Sequence, residues 1–248
     1  MKIKFWGTRG SISVPGKDTN IYGGNTTCLE LTLQSGRKVI IDAGTGIRAL
    51  GEKLISGDDH VDIHLLMTHI HWDHILGFPF FAPLYDPSTK IRIDGYPTCM
   101  KGLRSTFDSK MGDGFFPIKF DEIKGFRFRE GGRTLVFITD NELREDVLEG
   151  RQTDRYAEFS ENADLLIHDC QYTPQEIDSR EGWGHSDYQS VVDLAHRARV
   201  KKLVLFHHDP SRRDPEVAAI KSQCEQLAKE KDSTMTIEAA KEESELEL

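Results

Sequence analysis

The sequence has no long apolar run. Its most apolar stretch, Ile75–Tyr85, is short and is broken by Gly77, Pro79 and Pro83, whereas a membrane-crossing helix needs roughly 20 apolar residues. The opening Met1-Lys2-Ile3-Lys4-Phe5-Trp6-Gly7 lacks the apolar core of a secretory leader, so a cytoplasmic location is expected. Cysteine is scarce. Cys28, Cys99, Cys170 and Cys224 are scattered and form no Cys-x-x-Cys pair, which favours free thiols over two disulfides. Positive charge is also short: 32 Lys and Arg stand against 41 Asp and Glu, a net charge of -9. An acidic chain offers polyanions no long-range attraction. This argues against long nucleic acid and against an anionic membrane as partners. It leaves a small anionic substrate, received by local cations or by a metal.

What is present is an ordinary globular balance, 38% hydrophobic and 29% charged over 248 residues. That length suits one α/β domain spanning 1–248. Strands are expected at Lys2–Trp6, Cys28–Leu33, Lys38–Ile41, Ile63–Met67, Lys90–Asp94, Thr134–Ile138, Asp164–Ile167, Leu203–Phe206 and Met235–Ala239, with a hairpin turn at Ser35-Gly36. Helices are expected at Ile47–Ile55, Tyr188–Arg199 and Pro215–Lys229. The tail Lys241–Leu248 reads equally as a solvated end or as one more strand, through Leu246-Glu247-Leu248, on the last sheet. Several strands end at His or Asp, which puts polar ligands along one edge of the sheets.

The densest signal is Thr68-His69-Ile70-His71-Trp72-Asp73-His74, directly after the strand Ile63–Met67. In an extended segment residues two apart share a side, so His69 and His71 can grip one ion while Asp73 and His74 turn to a second position. Imidazole with carboxylate suits zinc, manganese or iron. Asp140 follows a strand and reads either as a carboxylate bridging two cations or as the N-cap of a helix over Asn141–Leu148. Of His207 and His208 only one can ligate easily, since adjacent side chains diverge. Asp42 is expected to brace the metal loop by hydrogen bonds, with His168-Asp169 outside the ligand set. Arg9 in Gly7-Thr8-Arg9-Gly10-Ser11 reads as part of a turn or as a phosphate contact. Arg212 and Arg213 read as phosphate contacts or as surface ion pairs. Arg127, Arg129 and Arg133 read as a solvated strand face. Phe78, Phe80, Phe81, Phe115 and Phe116 read as the lining of a substrate pocket or as core, with core favoured for most. His60, His64 and His196 carry no expected role.

These residues resemble the metallo-β-lactamase-fold hydrolases, and within them the phosphodiesterase branch that holds ribonuclease Z and a cyclic phosphodiesterase. The resemblance rests on Gly23-Gly24-Asn25-Thr26, Ile41–Gly46, the His69–His74 motif, Thr139-Asp140, Asp164–Asp169, Gly184-His185-Ser186 and Leu203–His208. It implies an αββα sandwich, two mixed sheets flanked by helices. It implies two divalent metal ions, zinc foremost with manganese or iron as alternatives. His69 and His71 would hold the first, Asp73, His74 and His207 the second, and Asp140 would bridge. It implies hydrolysis of a small phosphodiester by a hydroxide held between the metals, with Asp73 and His185 as the catalytic pair and His185 protonating the leaving oxygen. Two rival readings stand beside it: a lactonase or thioesterase on the same fold, and a degenerate metal-binding or sensing domain. A homodimer is left open.

One departure is visible. The family supplies a third His to the first metal, yet no histidine lies between His74 and His168. Where that segment is expected, Phe120-Asp121-Glu122-Ile123-Lys124 runs directly into Gly125-Phe126-Arg127. Either a segment is missing near 124/125, or the first metal keeps two His and the shared Asp140.

Overall fold

Alternation in Lys2–Gly7 (β1) buries Ile3 and Phe5 and turns Lys2 outward, as a half-buried strand requires. The computed structural model describes residues 1–56, 62–95, 125–143 and 151–248. They form a mixed α/β fold with two mixed sheets, each in its own compact unit. The first unit takes the described residues of Met1–Val14, Gly24–Glu122 and Glu242–Glu247, and the second those of Pro15–Gly23 and Ile123–Lys241 with Leu248.

In the first unit, β1 pairs with Cys28–Thr32 (β2), which pairs with Lys38–Ile41 (β3), both antiparallel. Asp62–Met67 (β4) and Lys90–Gly95 (β5) then add in parallel. The β2–β3 hairpin turns at Gly36, whose φ of 79° favours glycine. Helix Ile47–Ile55 (α1) buries Ile47, Leu50, Gly51 and Leu54, one face at helical spacing. That face joins Trp6, Ile40, Ile63, Leu65, Met67 and Phe81 in a single core. Phe81 is therefore core as expected, whereas Phe80 is 66% exposed.

The tail resolves as strand Glu245–Glu247 (β11), but on the first sheet rather than the last. It pairs antiparallel with β1, Ile3 opposite Leu246 and Lys2 opposite Glu247. The first sheet order is therefore β11-β1-β2-β3-β4-β5.

The second unit holds a five-stranded sheet: Gly125–Glu130 (β6), Arg133–Ile138 (β7), Leu165–Asp169 (β8), Lys202–Phe206 (β9) and Thr236–Ala239 (β10), in order β10-β9-β8-β7-β6. Only the β6–β7 hairpin is antiparallel. β8 and the end of β9 are buried along their whole length, the usual state of strands covered on both faces. Helices Arg151–Ser160 (α3), Tyr188–Arg197 (α4) and Asp214–Glu230 (α5) accompany this sheet. Val191, Val192, Leu194 and Ala195 of α4 and Ile220 and Cys224 of α5 pack into the core with Val136, Leu166, Leu203 and Ile237. Asp187 caps α4, accepting from the N–H groups of Gln189 and Ser190 at 2.9 and 3.1 Å.

Several expectations shift. The strand expected at Asp164–Ile167 runs through His168 and Asp169, and Asp164 instead accepts the Thr134 N–H at 2.8 Å. α4 stops at Arg197 because Arg199 turns left-handed, φ 53°. Arg127 is not a purely solvated residue: its guanidinium donates to the carbonyls of Phe159 and Glu161. α3 was not anticipated, and β6 only as a strand face carrying Arg127 and Arg129. Cys28, Cys170 and Cys224 are buried free thiols, and burial pushes the Cys28 thiol up. Cys99, His60, Phe115, Phe116, the 124/125 junction and a helix over 141–148 beyond Leu143 lie outside the described residues. No helix among the described residues is long and apolar enough to cross a membrane.

Candidate metal centre

In the first unit, β4 delivers the chain into Thr68–His71 and the short helix Trp72–Ile75 (α2). His69, Asp73 and His74 are buried, and His71 is half-buried. The His69 ring lies 4.2 Å from that of His71 and 4.1 Å from that of His74, between centroids. The sequence-expected ligands of this loop are thus gathered in one place. Asp73 Oδ2 accepts the Ser11 N–H at 2.8 Å and stands 3.4 Å from His74 Nε2.

The loop is held from β3. Asp42, at φ 61°, aims a fully buried carboxylate at it. Oδ1 accepts the Thr68 N–H at 2.8 Å, and Oδ2 accepts the Thr68 hydroxyl at 2.7 Å and meets His74 Nδ1 at 2.9 Å. Asp is among the few residues that tolerate this left-handed conformation. Close approach also needs Gly44, where a Cβ would lie 2.2 Å from the Asp73 carbonyl oxygen.

These bonds assign protons. A buried carboxylate is acceptor-only, so His74 carries its proton on Nδ1 and presents the Nε2 lone pair. The Thr68 hydroxyl spends its one proton on Asp42. Its 3.0 Å contact with His69 Nδ1 is therefore one in which His69 donates, and His69 too presents Nε2. A ligand histidine is commonly oriented this way.

The second unit gathers Asp140, His185 and His207. Asp140 and His207 both have positive φ, 52° and 56°, just past β7 and β9. Left-handed non-glycine residues of this kind cluster at functional sites. His207 Nε2 lies 3.3 Å from Asp140 Oδ2, which also accepts the Thr139 hydroxyl at 2.7 Å. His207 Nδ1 meets the Gln171 amide oxygen at 2.9 Å. With that oxygen as acceptor, His207 likewise presents Nε2. His208 diverges as expected, bonding the Ala240 carbonyl through Nε2 at 3.0 Å.

His185 stacks on His207, ring centroids 4.9 Å apart. Its Nδ1 stands 3.4 Å from Asp169 Oδ2 and 4.0 Å from Asp140 Oδ1. His185 does not cap α4, since Asp187 does. Ser186 fixes the loop: its hydroxyl donates to the Asn141 carbonyl at 2.7 Å and accepts the Leu143 N–H at 3.0 Å. His168 is held aside by its own strand, Nδ1 donating to the Asp169 carbonyl at 2.7 Å, and burial lowers its pKa.

Arg9 is fully buried. Arg212 pairs with Glu176 and donates to the Gln171 carbonyl. His64 pairs with Asp94 at 2.7 Å. The sequence reading missed Thr68, Thr139, Gln171 and Ser11. Thr68 and Thr139 had a signal, their places beside His69 and Asp140; Ser11 and Gln171 act across long sequence separations.

The donor types fit a divalent metal of the zinc, manganese or iron kind: imidazole nitrogens with fixed protons, beside carboxylates. Comparison with known proteins gives the family. A family model described as the metallo-beta-lactamase superfamily matches residues 21–153, and one described as a beta-lactamase superfamily domain matches 107–208. Ribonuclease Z of Natronomonas pharaonis is 23% identical over 276 aligned positions, covering 84% of this chain and 86% of that one. The metallo-beta-lactamase fold protein YhfI from Bacillus subtilis superposes with a TM-score of 0.70 at 17% identity, covering 99% of both chains. The short form of human tRNase Z superposes with a TM-score of 0.61 at 20% identity, covering 100% of this chain and 99% of that one.

These matches overturn one expectation. The acidic net charge argued against long nucleic acid as a partner, yet proteins named ribonuclease Z and tRNase Z are among the relatives. Net charge describes the far field, whereas contacts at a site are set locally.

Proposed function

The chain belongs to the metallo-beta-lactamase superfamily and is a metal-dependent hydrolase, and from that premise we propose that it is a binuclear phosphodiesterase. In this reading His69 and His71 would hold one cation and Asp73, His74 and His207 the other, and Asp140 would serve both. Zinc is the first choice of metal. The observation that carries the reading is the proton assignment at His69, His74 and His207. Each has its Nδ1 within hydrogen-bond distance of a partner, which makes Nε2 the nitrogen that would take a metal.

When bound, a pair of divalent cations supplies an activated water at neutral pH and neutralises charge on the phosphoryl group. The chain's own residues do the rest. Asp42, Thr68 and Gln171 hold the imidazoles in one tautomer. Asp73 is pinned by the Ser11 N–H. His185, beside the Asp169 carboxylate, gives a proton to the departing oxygen. Without a third His the first cation would have two nitrogen donors, as many as the second, and no carboxylate beyond the shared Asp140. Residues 1–248 are read as one hydrolase domain, and the buried free thiols support a cytoplasmic setting.

The ester class proposed is the phosphodiester, RNA included. Two measurements test it. Elemental analysis of protein purified without added metal should give close to two equivalents per chain. One equivalent or less, not raised by zinc or manganese, would overturn the binuclear reading. Metal-loaded protein should then cleave a model phosphodiester or an RNA faster than a lactone or a thioester at equal concentration. The reverse order would move the chemistry to acyl carbon.

A further inference from the structure

We propose that Trp183 is a stacking platform for an aromatic base on the departing alcohol of the substrate, an inference that rests on the phosphodiesterase reading above. Trp183 is 63% exposed. Single exposed apolar side chains are common on protein surfaces, so exposure alone says little. Three further observations give this one a direction.

The first is what lies against the ring. The Arg180 guanidinium sits 5.5 Å from the Trp183 ring centroid and 4.8 Å from that of Tyr172. Asp209 anchors Arg180 at 3.3 Å. A cation over an indole holds it in place, while most of its surface stays open to a second flat group.

The second is the rigidity of the loop. The N–H groups of Gly182 and Gly184 donate to the Glu142 carboxylate at 2.9 and 3.1 Å, and the Trp183 N–H donates to the Arg180 carbonyl at 3.1 Å. Both glycines have positive φ, 78° and 84°, which this turn requires. A surface ordered before binding loses less entropy on binding.

The third is position. Trp183 precedes His185 by two residues, so their Cα atoms lie within about 7 Å. His185 is the residue assigned to protonate the leaving oxygen, so the Trp183 backbone borders the leaving-group side. The Tyr172 ring, also under Arg180, lies 5.8 Å from His185. An aromatic base on the departing alcohol would meet the indole there, as bases meet aromatic side chains in single-stranded nucleic acid binding.

The test uses metal-loaded protein and two esters of thymidine 3′-phosphate, one with thymidine and one with methanol as the departing alcohol. Trp183→Ala should raise KM for the dinucleotide about tenfold, in line with the loss of one base–aromatic stack. It should leave kcat within about twofold and the methyl ester unaffected. Trp183→Phe should keep most of the wild-type KM. Equal effects on both esters, or none on either, would overturn the proposal. If the wild type cleaves neither ester, the phosphodiesterase reading has failed. The uncleaved dinucleotide, titrated by calorimetry, then decides the stacking claim: about tenfold weaker binding in Trp183→Ala supports it, and equal binding overturns it.

Discussion

Asp42 accepts the Nδ1 proton of His74 at 2.9 Å from a fully buried carboxylate that also receives two bonds from Thr68. One residue at the end of β3 thus sets the proton positions of two imidazoles, directly at His74 and through Thr68 at His69. Asp42→Asn keeps a residue that tolerates the left-handed backbone but loses an acceptor oxygen. Metal affinity, read by competition with a chelator, should fall by about 10–100-fold, the usual cost of losing such a partner. Wild-type affinity in that variant would sink the orienting role.

Gln171 plays the same part for His207. Gln171→Leu removes the amide oxygen and releases the Nδ1 tautomer. One of the two metal equivalents should bind about 10–100-fold more weakly while the other holds. Nitrogen-15 spectra should show His207 losing its single tautomer. An unchanged spectrum would show that the ring is oriented by something else.

His185→Ala should lower kcat at least about a hundredfold on a diester with a poor leaving group, since such an alkoxide needs a proton as it departs. On a 4-nitrophenyl ester the loss should be small. Asp169→Asn should give a weaker version of the same split, because the Asp169 carboxylate only positions the ring. Equal losses on both esters would point to a structural role for His185.

His168 supplies a prediction about stability. Burial lowers its folded pKa below the ordinary 6.5. Below that value the unfolded chain takes up a proton that the folded chain refuses. Stability from this site is therefore intact above about pH 6.5 and falls as pH drops toward the folded pKa. Urea unfolding at pH 7.5 and 5.5 should show a smaller loss in His168→Phe than in the wild type. Parallel losses would assign the acid sensitivity to other groups.

Much of this was legible in the sequence where a signal is local. The helical spacing of Ile47, Leu50 and Leu54 placed α1, and the crowding of His69, His71, Asp73 and His74 placed a metal loop. What stayed hidden depends on pairing across the fold. Leu246-Glu247-Leu248 alternates like a strand, but nothing in those residues names β1 as its neighbour. His168-Asp169 looked like a strand end because both are polar. Inside a parallel sheet such residues persist when each finds a partner, and here His168 uses the Asp169 carbonyl while Asp169 faces His185. Gln171 had no signal at all, since only the folded chain brings it to His207.

The pairing of β1 with β11 has a consequence for synthesis. In the chain, β11 follows β1 roughly 240 residues later, an interval of tens of seconds at ordinary translation rates of about 5–20 residues per second. Until then β1 presents an open edge, the kind of surface on which foreign strands dock. Lys2 and Lys4 lie on that strand, and their charge discourages such docking while the edge is bare. Once β11 arrives, Lys2 meets Glu245. The same lysine then serves twice, first as a guard on the nascent chain and afterwards as part of the closure.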